Sequence, residues 1–167
     1  WQQAVVCALP NNSDTDLSDL ETVFPLYFET DELDFPIPGM SDQMPYESTV
    51  WSTMSAESLR KYRLIWSRHI VKAVEKFKPD IIHSNHLWLL SSMLKDLFPD
   101  IPVVGHCHAT GLRQLKSCPR LKEEIFTGIN KLDKIFVLHG EQVTEVEHLL
   151  GINPGKITIV GAGYDKQ

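Results

Sequence analysis

Short apolar runs alternate with longer segments of helical periodicity over most of the chain. The runs are too short for helices and show no polar alternation, which is typical of buried parallel strands. Predicted strands are Ala4 to Leu9, Val23 to Phe28, Ile81 to Ser84, Pro102 to Cys107, Lys134 to Leu138 and Ile157 to Val160. Predicted helices follow Ser55 and cover Leu87 to Leu97, Leu121 to Leu132 and Glu141 to Leu150, while Ala109 to Pro119 is predicted to be a loop. This order predicts an α/β fold, a Rossmann-like parallel sheet with helices on both faces.

The segment after Ser55 carries the clearest helical pattern. Ser55 is a typical N-cap residue, and apolar side chains recur at steps of three and four from Leu59 to Phe77. Lys78-Pro79 ends the pattern. Basic residues occupy the other faces. A solvated face explains them better than a membrane-binding face, because the apolar stripe is aromatic and branched enough to be core.

Composition narrows the class of protein. Of the 167 residues, 43% are apolar and 23% charged, as in an ordinary globular domain. A net charge of -6 argues against nonspecific nucleic-acid binding, and no apolar run is long enough to span a bilayer. Cys7, Cys107 and Cys118 are odd in number and widely spaced, so we expect reduced thiols, with Cys7 and Cys107 buried in strands, as suits a cytosolic protein.

Two predicted strands end in polar clusters that each carry two histidines. His83 and His86 flank Ser84-Asn85 at the end of the strand that begins at Ile81. In the next strand His106 lies one residue before the end, and His108 directly follows it. Ligands of open α/β sheets sit outside the carboxyl ends of such strands. The spacings H-x-x-H and H-x-H can ligate a metal, but no further ligand set completes a structural zinc pattern, so no metal is expected. The lone G-x-G at Gly161 and Gly163 lacks the remainder of a dinucleotide fingerprint.

Four segments in this order carry a family resemblance: KPDIIHSNHLWLLSSML, IPVVGHCHATGLRQL, KLDKIFVLHGEQ and KITIVGAGYD. Together they resemble the N-terminal, acceptor-side domain of a GT-B glycosyltransferase of family 4, a retaining family that uses nucleotide-activated sugars. The resemblance implies transfer of a sugar from a nucleotide-sugar donor to a sugar or lipid-linked acceptor, without a cofactor. Glu21 and Glu29 have the family's E-x7-E spacing but flank a predicted strand, whereas that motif belongs to the second domain.

The resemblance also implies site residues. A histidine at the place of His108 faces the cleft and contacts the donor sugar or the reaction centre; its structural alternative is a side chain that satisfies backbone groups at a strand end. We expect the acceptor side of the cleft to include His83, Asn85, His86, Thr110, Gly111 and Arg113. For His83 and His86, capping of the following helix is an equally good explanation. His106 is expected to share a face with His108 or to be a core histidine.

Residues 29 to 54 show no period and combine prolines and acids with apolar side chains. They are interpreted either as a mobile surface loop or as an acceptor-recognition loop, and we expect them to be poorly ordered without acceptor.

The remaining expectations concern the chain's extent. It is predicted to be one Rossmann-like domain, residues 1 to 167, without the family's first strand and glycine-rich turn, and with the start of the interdomain linker at 161 to 167. Such a fragment would be inactive alone, need a C-terminal domain, and act in the cytoplasm, with peripheral membrane contact left open. The alternatives are a flavodoxin-like binding domain whose histidines hold an anion or metal, and a noncatalytic interaction module.

Overall fold

The structure is a computed structural model that describes residues 1 to 161 and 163. Most of the linker predicted at 161 to 167 lies outside the described residues. The chain divides into two compact units, Trp1–Pro79 and Asp80–Gln167. Within the described part, no helix is both long and apolar enough to cross a membrane.

The first unit contains a two-stranded parallel sheet. Strands β1 (Val5–Pro10) and β2 (Val23–Phe28) pair with Val5 opposite Val23. Both strands of a two-stranded sheet are edges, which accommodates Pro25 in β2, a residue without an N–H to donate. The expectation of a buried first strand is wrong, since every residue of β1 is exposed or half-buried. Cys7 within it is therefore only half-buried; a strand in so small a sheet is not covered by neighbouring strands.

Helix α1 (Ala56–Phe77) follows the predicted pattern. The Ser55 hydroxyl caps it by accepting from the Ser58 N–H at 2.9 Å, and Lys78 ends it in a left-handed conformation with φ 55°. The predicted stripe is buried, at Leu59, Tyr62, Trp66, Ile70 and Ala73. Its Tyr62 ring packs 5.1 Å from that of Trp51 and 6.3 Å from that of Phe28, which ties α1 to β2 and to the preceding segment.

Residues 29 to 54 contain no helix and no strand longer than an isolated bridge between Pro38 and Thr49. Leu33, Trp51 and Met54 are nevertheless buried. The segment is thus attached to the first unit by a few apolar anchors. Its mobility and its part in acceptor recognition stay predictions.

The second unit is built on a four-stranded parallel sheet. Its strands are β3 (Ile82–Asn85), β4 (Val103–His106), β5 (Lys134–Val137) and β6 (Ile157–Ile159), in sequential order. Its helices are α2 (Leu89–Leu97), α3 (Ala109–Ser117), α4 (Lys122–Ile129) and α5 (Gly140–Leu150), with short 3-10 helices at Pro119–Leu121 and Pro154–Lys156. Parallel sheets flanked by helices confirm the predicted α/β, Rossmann-like class.

One element differs in kind from the prediction. Residues 109 to 119, expected to be a loop, form α3 and the start of a 3-10 helix. The helix buries Leu112 and Leu115, three residues apart, and also Gln114. The short apolar face was hidden by the surrounding polar and glycine residues. The next helix is shorter than predicted and stops at Ile129, because the Asn130 side chain caps it by donating to the Phe126 carbonyl oxygen.

Helices α2 and α4 pack very closely. A Cβ built on Gly128 of α4 would lie 2.1 Å from the backbone oxygen of Ser92 in α2 and 2.5 Å from the Ser92 Cβ. Only glycine permits this approach. The contact fixes the position of α2, the helix that follows the polar cluster at the end of β3.

Candidate functional site

The polar residues singled out in the sequence meet at the carboxyl ends of β3 and β4. Asn85 lies opposite His106 in the register of these strands, and His106 lies opposite Phe136 of β5. Paired residues of a parallel sheet face the same side. The chain then leaves β4 through Cys107, whose N–H donates to the Phe136 carbonyl oxygen at 2.7 Å, and α3 begins directly after His108.

Four imidazole rings form one continuous group, here called the histidine cluster: His83, His86, His106 and His108. The rings of His106 and His108 stack with centroids 4.7 Å apart and planes inclined by 23°. His83 stacks on His106 at 5.7 Å, and His86 approaches His108 at 4.9 Å. The expected common face of His106 and His108 is therefore confirmed.

Phe136 completes one side of the cluster, and the sequence analysis missed it. Its ring meets those of His83 and His106 edge-on, at 6.0 and 6.4 Å between centroids. Its position in a predicted strand was visible, but the register that sets it opposite His106 was not. An apolar wall beside His83 reduces the hydration of its imidazole, which contributes to the burial that lowers its pKa.

Two hydrogen bonds join the carboxyl end of β3 to the segment that connects β4 with α3. The His108 Nε2 lies 3.1 Å from the Asn85 Oδ1. The Thr110 hydroxyl oxygen lies 3.0 Å from the His86 Nδ1. The first bond joins the end of β3 to the residue before α3, and the second joins the residue after β3 to the first turn of α3. Together they hold the two histidine-bearing segments against each other.

The backbone at His86 is held by two serines that the sequence analysis also missed. His86 has a φ of 66°, a left-handed conformation that a non-glycine residue adopts rarely. The Ser91 hydroxyl donates to the His86 carbonyl oxygen. Because a hydroxyl carries one proton, the neighbouring Ser84 hydroxyl, 2.6 Å away, must donate to Ser91. Both serines are buried, and this Ser84–Ser91 pair supports the turn that presents the His86 ring.

Burial and neighbouring imidazoles lower the pKa values of three histidines of the cluster, His83, His86 and His108. The pKa of His108 is lowered by partial burial and then by the neighbouring His106 and His83. The pKa of His86 is lowered by burial and by His108, and that of His83 by burial and by His106. Since an unperturbed histidine titrates near pH 6.5, roughly, these three rings are uncharged at neutral pH. They can therefore donate and accept hydrogen bonds.

The glycines of this region serve packing. A Cβ on Gly105 would meet Leu87 and Leu132 side-chain carbons at 2.8 Å, and one on Gly111 would lie 3.1 Å from the Leu87 carbonyl oxygen. Gly111 is buried, so it lets α3 rest on the backbone of the β3–α2 loop. Arg113, by contrast, is exposed on α3. Contact of Gly111 or Arg113 with a ligand stays a prediction.

The described residues of the site favour neither of two other kinds of chemistry, that of a reactive cysteine and that of a bound metal ion. Cys107 is buried, as expected, and its pKa is raised to about 12, first by burial and then by the Glu145 carboxylate. It is a protonated, unreactive thiol. Among the residues that the structure describes, no three His, Cys, Asp or Glu side chains are arranged to hold a metal ion. The imidazoles of the cluster pack ring on ring, and coordination would instead require their nitrogens to converge on one point.

Comparison with known proteins agrees with the resemblance stated above. The model of Glycosyltransferase Family 4 matches residues 38–167, which is most of the chain and includes the whole second unit. No curated protein matches the sequence. The match spans every residue of the histidine cluster and both hydrogen bonds, Asn85–His108 and Thr110–His86. The chain belongs to glycosyltransferase family 4, and its general activity is that of a glycosyltransferase.

Proposed function

We propose that this chain is the acceptor-side domain of a retaining glycosyltransferase that moves a sugar from a nucleotide-sugar donor to a sugar or lipid-linked acceptor. Family membership supports the general activity. The finer proposal rests on one observation: His108 stands at the carboxyl end of β4, half-buried, with its ring held between His106, His86 and Asn85. An orientated, neutral imidazole at this edge of a parallel sheet is suited to contact a sugar hydroxyl.

In this proposal His108 acts at the reaction centre as a hydrogen-bonding group. Glycosyl transfer develops positive charge on the donor sugar and negative charge on the leaving phosphate. A neutral imidazole can hold a sugar hydroxyl in position without adding charge to either. Since its pKa is lowered, His108 keeps this neutral form down to a more acidic pH than a free histidine.

The other residues of the site have supporting roles in the proposal. His83 and Asn85 are exposed, whereas His86 and Thr110 are half-buried. They offer hydroxyl, amide and imidazole groups of the kind that bind sugars. Arg113, exposed on α3, is suited to an anionic group on the acceptor or donor. The nucleotide-sugar is a substrate, so the proposal involves no cofactor, and the second domain of the GT-B architecture supplies most of its contacts.

The experiment uses the full natural protein that contains this chain. UDP- and GDP-sugars are screened for nucleotide release in the presence of sugar and lipid-linked acceptors, and the anomeric configuration of the product is read by NMR. His108→Ala is then compared with the wild type. We expect turnover to fall by about 10²-fold or more, because a hydrogen bond made at the reaction centre is lost.

The matched control is His148→Ala, a histidine exposed on the last turn of α5. It should leave turnover and the thermal midpoint unchanged. A His108→Ala protein with wild-type turnover would refute the role of His108. A product of inverted configuration would refute the retaining assignment while leaving the histidine result intact.

A further inference from the structure

The hydrogen bond between Asn85 and His108 has a chemical direction. Asn85 presents its amide oxygen to the His108 Nε2 at 3.1 Å. An amide oxygen can only accept, so the proton of this bond belongs to Nε2. A neutral imidazole has one N–H, and the other nitrogen must therefore carry the lone pair. For His108 that nitrogen is Nδ1.

The surroundings of His108 leave Nδ1 available. Among the described residues, the bond to Asn85 is the one hydrogen bond that its ring makes. Two other neighbours are rings: His106 stacks on the His108 ring at 4.7 Å between centroids, and the His86 ring lies tilted to it at 4.9 Å. These contacts restrict the plane of the ring, but they do not select its tautomer. Asn85 is the group that does.

We infer that Asn85 is a positioning residue, which keeps the His108 proton on Nε2 and so offers Nδ1 as the acceptor for a substrate hydroxyl. This gives Asn85 a role through His108, in place of the direct acceptor contact expected from the sequence. The geometry requires no movement of either side chain. For the role of His108 itself, the inference rests on the proposed function.

The groups that lower the pKa of His108, besides its partial burial, are the imidazoles of His106 and His83. A negative charge placed at Asn85 would act on this pKa in the opposite direction, which allows a test. Asn85→Asp keeps an oxygen acceptor at the same place but adds a negative charge. An opposite charge within hydrogen-bonding distance favours the imidazolium, so the pKa of His108 should rise by about one unit or more.

The first measurement is an NMR titration of ¹⁵N-labelled histidines, with the His108 resonances assigned by their loss in His108→Gln. In wild-type protein His108 should be in the Nε2–H form, and in Asn85→Asp its pKa should be higher. The control is Asn153→Asp, which makes the same charge change before β6, at the amino edge of the sheet. It should leave the His108 pKa unchanged. An Nδ1–H tautomer in the wild type, or an unchanged pKa in Asn85→Asp, overturns the inference.

The second measurement is kinetic. Asn85→Leu, which keeps the size of the side chain, should lower kcat with little change in KM, and should have no additional effect in a His108→Gln background. In Asn85→Asp the acidic limb of the pH–rate profile should move to higher pH. If Asn85→Leu lowered kcat by the same factor in the wild type and in the His108→Gln background, the coupling between the two residues would be refuted. If the NMR results hold but His108→Gln is fully active, the proposed function fails and the Asn85–His108 pairing stands.

Discussion

Replacing Gly128 with alanine tests the packing that fixes α2 beneath the site. The new Cβ would lie 2.1 Å from the Ser92 backbone oxygen, more than an ångström inside ordinary contact, and a backbone atom cannot rotate away. Overpacking costs about 1–3 kcal/mol, and a collision with backbone belongs at the upper end of that range. Alanine also has a higher helix propensity than glycine, worth about 1 kcal/mol. The net loss of unfolding free energy should be about 2 kcal/mol.

The assay is urea denaturation followed by circular dichroism, in which such a loss moves the midpoint by about 1 M. The matched control is Gly140→Ala at the start of α5, where a Cβ meets no atom within 4 Å. That variant should be as stable as the wild type or more so, by up to about 1 kcal/mol. The reasoning is refuted if Gly128→Ala is as stable as Gly140→Ala, because α2 and α4 would then not be in backbone contact.

Two further predictions concern the support and the charge of the histidine cluster. Ser91→Ala should cost about 1–3 kcal/mol of unfolding free energy, because the Ser84 hydroxyl and the His86 carbonyl lose their partner; adding Ser84→Ala should cost less than a second such loss. Stability should also fall with acid, because the pKa values of three cluster histidines are lowered in the native state. Above the unfolded pKa of about 6.5 these rings are neutral in both states; below it the unfolded state takes up protons first, and the loss of stability is complete only below the native pKa values. Urea midpoints between neutral and acidic pH should show a shallower decline in His83→Gln but not in the exposed-site control His148→Gln; equal slopes in all three proteins would contradict the prediction.

The strands, the long helix and the place of the histidines could be predicted because each depends on local pattern. Helix α1 is specified by a side-chain cap at Ser55 and by a complete apolar stripe. The histidine cluster forms because the carboxyl ends of parallel strands lie at the same edge of the sheet. Neither step needs knowledge of distant contacts.

The features that could not be predicted all depend on tertiary contacts. Phe136 reaches the site because the strand register sets it opposite His106. The two buried serines support a turn with a left-handed residue, and the sequence pattern does not predict that conformation. Helix α3 was not predicted because its buried face contains only two large apolar side chains, Leu112 and Leu115. Strand β1 is exposed because its sheet has only two strands, and the residues of β1 alone cannot predict the number of strands.

The sequential strand order of the second unit has a consequence for how the site assembles during folding. Each strand pairs with its nearest neighbour in the chain, so each pairing closes a loop of roughly 20 to 30 residues, and the entropic costs of the three closures are nearly equal. The contact order of this sheet is therefore low for a parallel one. The histidine cluster lies entirely on the β3 and β4 segments and their loops. The single crossover between β3 and β4 is therefore enough to bring its four rings together, and the pairings of β5 and β6 are not needed for that step.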